Sequence, residues 1–179
     1  MVSQRLIALP MRVLLSFVWL LFPALLAAGD LRTNAFFKAL EGGWAGDGEF
    51  LSLDHPPSSA RNEIACSFTE DGTEFLIKGH LLLNDQPVDY VWTYSAHEIE
   101  GIYRARWKNL AQPDAVQEYS VNIDEANLVA TLEPVVGVPG SSVIRLVKTI
   151  KDRRYEVEVR MTDPAGNTTL QGLVRFTKQ

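Results

Sequence analysis

The stretch Gly42-Gly43-Trp44-Ala45-Gly46-Asp47-Gly48-Glu49-Phe50 decides how this chain folds. A tryptophan stands among four glycines at the start of a strand-like run. Glycine permits close backbone approach and sharp bends. Tryptophan contributes a large apolar surface and one N–H donor that needs a partner when buried. Together they predict a strand that bends sharply and plugs one end of a closed sheet.

Upstream of this stretch, Leu31–Leu40 predicts one short helix. Thr33 or Asn34 supplies a capping oxygen, Phe36, Phe37 and Leu40 form an apolar face, and Gly42-Gly43 stops it. A helix this short is marginal alone and must pack on something. Further upstream, Met1–Gly29 has the order of a secretory signal peptide. Arg5 and Arg12 are followed by an apolar run from Val13 to Phe22, then Pro23 and the small residues Ala27, Ala28 and Gly29. Val13–Ala28 is shorter than the ~20 residues that span a bilayer, so cleavage is expected rather than retention as an anchor. Leader removal takes away two arginines and no acid. The expectation is an exported protein, periplasmic or secreted, with residues 1–29 as leader and 30–179 as a single domain.

Downstream the chain reads as ten strands: Trp44–Leu53, Arg61–Thr69, Thr73–Leu83, Val88–Ala96, Ile102–Leu110, Val116–Ile123, Leu128–Val136, Ser142–Ile150, Arg154–Thr162 and Thr168–Lys178. Asp71-Gly72, Asn84-Asp85 and Asp163 to Asn167 punctuate them as hairpin turns. Tyr155, Val157, Val159 and Met161 alternate with Glu156, Glu158 and Arg160, and Tyr119, Val121 and Ile123 alternate with Glu118, Ser120 and Asn122. Period-2 alternation marks one apolar and one wet face. Short turns imply antiparallel neighbours joined in sequence. Ten such strands left open would expose pairing edges, so the expected fold is all-β, a closed up-and-down barrel after a short helix. A two-sheet sandwich needs longer crossovers than this chain shows.

The 179 residues are 46% hydrophobic and 22% charged, with a formal net charge of -5. That balance excludes a wholly disordered chain and gives no basic surface for nucleic acid. The densest basic cluster is Lys148, Lys151, Arg153 and Arg154, which reads as a solvated hairpin tip. Cys66 is the one cysteine. It excludes a disulfide within the chain and, in an apolar stretch, reads as a buried inert thiol.

The short helix followed by Gly42-x-Trp44 at the head of an antiparallel meander resembles the calycin superfamily, which includes lipocalins, fatty-acid-binding proteins and nitrobindin-like barrels. The longer run Gly42-x-Trp44-x-Gly46-x-Gly48 is similar to the nitrobindin-type variant, here as an exported branch. The resemblance implies that Trp44 closes one end of the barrel. It also implies that an arginine of the last strand, Arg175 here, lies over the indole ring. Nitrobindin-like barrels bind haem through a late histidine. This chain has only His55, His80 and His97, none in the last strands, so that ligand has no position here and no cofactor is expected.

No sequence motif marks a metal or catalytic site. HExxH, H-x-H and G-x-S-x-G are all absent. The candidate binding residues are aromatic. Tyr90, Trp92 and Tyr94 share one face of a strand, and Tyr103 and Trp107 share one face of the next. If these point inward they line a cavity for a small hydrophobic or amphipathic molecule, or they fill a solid core. If Arg104 and Arg106 point inward instead, an anionic headgroup would fit. Three functions stay open: an exported ligand-binding barrel, a solid barrel serving as a structural or interaction module, and, with least support, an enzyme. Asn167-Thr168-Thr169 matches a glycosylation acceptor at a hairpin tip.

Overall fold

The computed structural model describes residues 30–99, 101–135 and 143–179. The expected leader Met1–Gly29, Glu100, and the whole turn Gly137–Ser141 with its flanks Val136 and Ser142 lie outside the described residues. A 3-10 turn, Leu31–Thr33, leads into helix α1, Ala35–Leu40. Ten strands follow: β1 Gly42–Ser52, β2 Ser58–Phe68, β3 Glu74–Leu83, β4 Gln86–Ala96, β5 Ile102–Asn109, β6 Val116–Asp124, β7 Val129–Pro134, β8 Val143–Lys151, β9 Arg154–Thr162 and β10 Thr168–Lys178. Each pairs antiparallel with its sequence neighbours, and β1 also pairs with β10, from Trp44↔Lys178 to Ser52↔Leu170. The sheet therefore closes into a barrel, which removes the exposed edges that a ten-strand meander would otherwise carry.

The expected single helix is divided at Asn34. Its backbone is extended (φ -73°, ψ 127°), and its side-chain oxygen accepts from the Phe36 and Phe37 amides at 2.9 and 3.3 Å. The cap turns α1 so that Phe36, Phe37 and Leu40 are wholly buried in one end of the barrel. Asn34 also donates to the Tyr103 hydroxyl at 3.0 Å, and the Ala35 amide donates to Glu125 at 2.8 Å. These bonds tie the helix to β5 and to the β6–β7 turn.

Gly46 and Gly48 explain the opening motif. Both face inward, and a methyl on either would run into the β10 backbone, at the Arg175 and Leu173 carbonyls. Only glycine lets β1 coil this tightly against β10. Gly46→Ala is expected to cost about 1–3 kcal/mol in a urea melt, as for other overpacked sites. An unchanged midpoint would show that the strand has room to give.

Trp44 fills the closed end. It is 2% exposed, its indole N–H donates to the Leu40 carbonyl at 2.7 Å, and its ring meets Tyr155 edge-on at 5.9 Å. One hydrogen bond thus joins the last turn of α1 to the first residues of β1. Above this end, the Phe37 ring packs against those of Phe75, Tyr94 and Tyr103 at 5.0–5.7 Å, and Phe75 meets Tyr94 at 6.5 Å. Half of the barrel is therefore a solid aromatic core.

Candidate ligand cavity

The other half is hollow. A cavity of about 280 Å³ lies between the aromatic core and the end that carries the β1–β2, β3–β4, β5–β6 and β9–β10 turns. Its wall is drawn from inward positions of every described strand but β7. Phe50, Ile64, Trp92, Leu146, Val157 and Phe176 give it an apolar surface, and no carboxylate contributes.

Tyr90 is held by backbone shape. Its ring occupies the space that a side chain on Gly79 of the paired strand β3 would take. Its hydroxyl accepts from the Asn62 amide at 2.8 Å, and burial pushes its pKa up to about 12. Asn62 is 7% exposed, and its own carbonyl oxygen has no partner among the described residues. A buried acceptor without a donor is uncommon and costs stability.

Lys148 forms part of the cavity floor. It projects from β8 across the lumen to the opposite wall and is only 2% exposed. Its amine donates to the Tyr94 hydroxyl and sits 4.2 Å from the centre of the Trp92 ring. No carboxylate pairs with it among the described residues. Burial lowers its pKa from 10.5 to about 7, with slight opposition from the nearby Cys66. Cys66 is itself buried, and the loss of solvation pushes its thiol up to about 12, as expected for an inert thiol.

This placement corrects the reading of the basic cluster. Lys151, Arg153 and Arg154 are exposed at the β8–β9 turn, but Lys148 is interior. Strand parity carried the signal: Leu146, Lys148 and Ile150 share the buried face of β8. Asn62 was missed in the same way, on the inward row with Ala60, Ile64 and Cys66.

No protein-family model matches the sequence, and no curated protein matches it. Solved structures do match. Rv2717c from M. tuberculosis superposes with a TM-score of 0.64 at 11% identity, over 85% of this chain and 98% of that one. A DUF3598-family protein from Nostoc punctiforme PCC 73102 gives 0.56 at 12% identity, over 80% of this chain but 49% of its own length. The S-type phycobiliprotein lyase CPES from Guillardia theta gives 0.56 at 8% identity, over 80% and 90%. These neighbours are ten-strand antiparallel barrels. The fold is calycin-like. At such low identity the likeness concerns fold alone.

Within this calycin-like barrel the expected site residues separate into groups. Tyr90, Trp92 and Trp107 line the cavity. Tyr94 lies beneath the floor, fully buried, and Tyr103 is spent on holding Asn34, so neither faces the cavity. Arg104 and Arg106 are outside, beside His97 and Glu74 respectively. Arg175 is also outside. Val174 and Phe176 take the inward positions of β10, which turns Arg175 to solvent, where it pairs with Glu156 at 3.1 Å. The cation over Trp44 is Lys178, at 5.3 Å. Arg175→Ala is accordingly expected to change stability by no more than about 1 kcal/mol, as for other exposed pairs. A larger loss in thermal unfolding would return Arg175 to a closing role. His55, His80 and His97 stand apart on the exterior, and no cluster of metal-binding side chains occurs among the described residues.

Proposed function

We propose that this protein is a binding module that holds a small amphipathic molecule inside the upper half of its barrel. The observation that carries this reading is the cavity itself: about 280 Å³, apolar in its wall, with two incompletely satisfied polar groups, Lys148 and Asn62. An apolar cavity of roughly 150 Å³ suffices for benzene, and sites for larger ligands begin near 300 Å³. The ligand is therefore larger than a single ring and smaller than a lipid with two chains. Burying its apolar part supplies about 25 cal/mol per Å². Its polar end meets Lys148, and a donor on it satisfies Asn62. The wholly solid barrel considered from sequence does not fit the hollow upper half.

Apart from Ile99, the strongly exposed large apolar residues, Leu51, Leu53, Leu110, Val116, Val135 and Val143, gather at the turn-bearing end above the cavity. An apolar lip of this kind suits entry of an apolar ligand. A phycobiliprotein lyase shares the barrel, which is consistent with ligand binding in general. The order of charge, apolar run and small residues in Met1–Gly29 is the ground for proposing that this binding occurs outside the cytoplasm; N-terminal sequencing of protein recovered from an exporting host tests that part.

Native mass spectrometry with straight-chain alcohols from hexanol to hexadecanol tests the binding reading. One alcohol per barrel is expected, with affinity passing through a maximum at intermediate chain length. Absence of any bound alcohol, or affinity that rises with length without limit, would count against an enclosed site.

A further inference from the structure

We propose that Lys148 acts as a nucleophile and holds a carbonyl ligand, an apolar aldehyde or ketone, as an imine. The proposal rests on the binding reading above and names the chemistry of the ligand's polar end. Three features of the site point to it. The amine stands in the floor of an apolar cavity inside the barrel, so a ligand that fills the cavity brings its end group to the nitrogen. The titratable groups around it are Cys66 on β2, Tyr90 and Tyr94 on β4, Tyr119 on β6 and Tyr155 on β9. Burial raises the pKa of each, so each is neutral at pH 7. With no anion facing it among the described residues, the lysine has no ion pair there, and the free amine keeps the lone pair that attacks carbonyl carbon. The Tyr94 hydroxyl already touches the amine nitrogen and is placed to relay a proton.

The chemistry balances without any further reagent. The nitrogen lone pair forms a bond to the carbonyl carbon as the C=O π bond breaks. A proton passes from nitrogen to the new oxygen through Tyr94, giving a carbinolamine. Loss of that oxygen as water then leaves C=N. Aldehyde and amine become imine and water, and nothing is oxidised or reduced.

Octanal with cyanoborohydride at pH 7, followed by peptide mapping, is the test. An amine that titrates near 7 is free base there roughly a thousandfold more often than one at the ordinary 10.5. The reduced adduct is therefore expected on Lys148, with little on Lys38, Lys78, Lys108, Lys151 or Lys178. Lys148→Met is expected to lose the adduct while keeping the β-sheet circular dichroism and cooperative urea melt of a folded barrel, so that the loss is not unfolding. Lys148→Arg, which keeps a cation, is also expected to give no adduct. If octanol binds but the label scatters over the surface lysines and spares Lys148, the imine is overturned and the binding module stands. Tight binding of octanoate with no octanal adduct also overturns it, in favour of an ammonium–carboxylate pair. If neither octanol nor octanal binds, both readings fall.

Discussion

Trp44→Ala is expected to lower the stability of the barrel by about 3–5 kcal/mol, the range for large aromatics removed from packed cores. Trp44 is 2% exposed and makes three different contacts: an edge against Tyr155, a hydrogen bond to the Leu40 carbonyl, and a face under Lys178. Truncation opens a void at the closed end and leaves the Leu40 carbonyl without its indole partner. A domain of this size is typically stable by only about 5–15 kcal/mol, so the variant is expected to be partly unfolded at moderate denaturant. Trp44→Phe fills much of the volume but cannot donate, and should fall between. Urea unfolding of the three proteins checks the order. A loss below about 1 kcal/mol for the alanine variant would mean that α1 and β1 close the barrel without the indole.

Lys148→Met is expected to have the opposite sign, and its size should depend on pH. Below about pH 7 the amine is protonated in both the folded and the unfolded chain, and the full cost of burying the ammonium weighs on the fold. Between about 7 and 10.5 the unfolded chain keeps a proton that the folded chain has released, so wild-type stability gains as pH rises. Each unit of displacement corresponds to about 1.4 kcal/mol, so the penalty at low pH is on the order of 5 kcal/mol. Methionine removes it but strands the Tyr94 hydroxyl, at a cost of about 1–3 kcal/mol. The variant is therefore expected to exceed wild type by roughly 2–4 kcal/mol at pH 5 and to lose that advantage by pH 10. Denaturant melts at the two pH values test this. An advantage that does not change with pH would mean that Lys148 titrates as an ordinary surface lysine. A stability kept above that needed for folding at the expense of a buried lysine fits a group retained for function.

The barrel was legible because period-2 alternation is a direct record of which side each residue faces. It located β9 and β10 to the residue. Boundaries slipped where residues lack that record. Gly42 and Gly43 have no side chain to alternate, so β1 begins two residues earlier than expected. Leu128 is apolar but adopts φ 52° in the turn, so β7 begins after it. The cavity was half legible. Tyr90, Trp92 and Trp107 were found as aromatics on inward faces. Tyr94 and Tyr103 share those faces, but their depth along the strand, which sequence does not state, puts them in the plugged end. Lys148 is interior because it shares a strand face with Leu146 and Ile150, a parity hidden by the run of basic residues that follows it in sequence. Arg175 departs from what the resemblance implies, because the parity of Val174 and Phe176 turns it to solvent.

The central claim is an enclosed site with Lys148 in its floor, and filling that site tests it most directly. Leu146→Phe and Val157→Phe place bulk into the cavity wall without touching the closed end. Decanol titrated into wild type is expected to change the fluorescence of Trp92 and Trp107 saturably, at one molecule per barrel. The change should be lost in a filled variant that melts as wild type does. Equal titrations of wild type and a folded, filled variant would contradict the account, because the ligand would then be binding elsewhere.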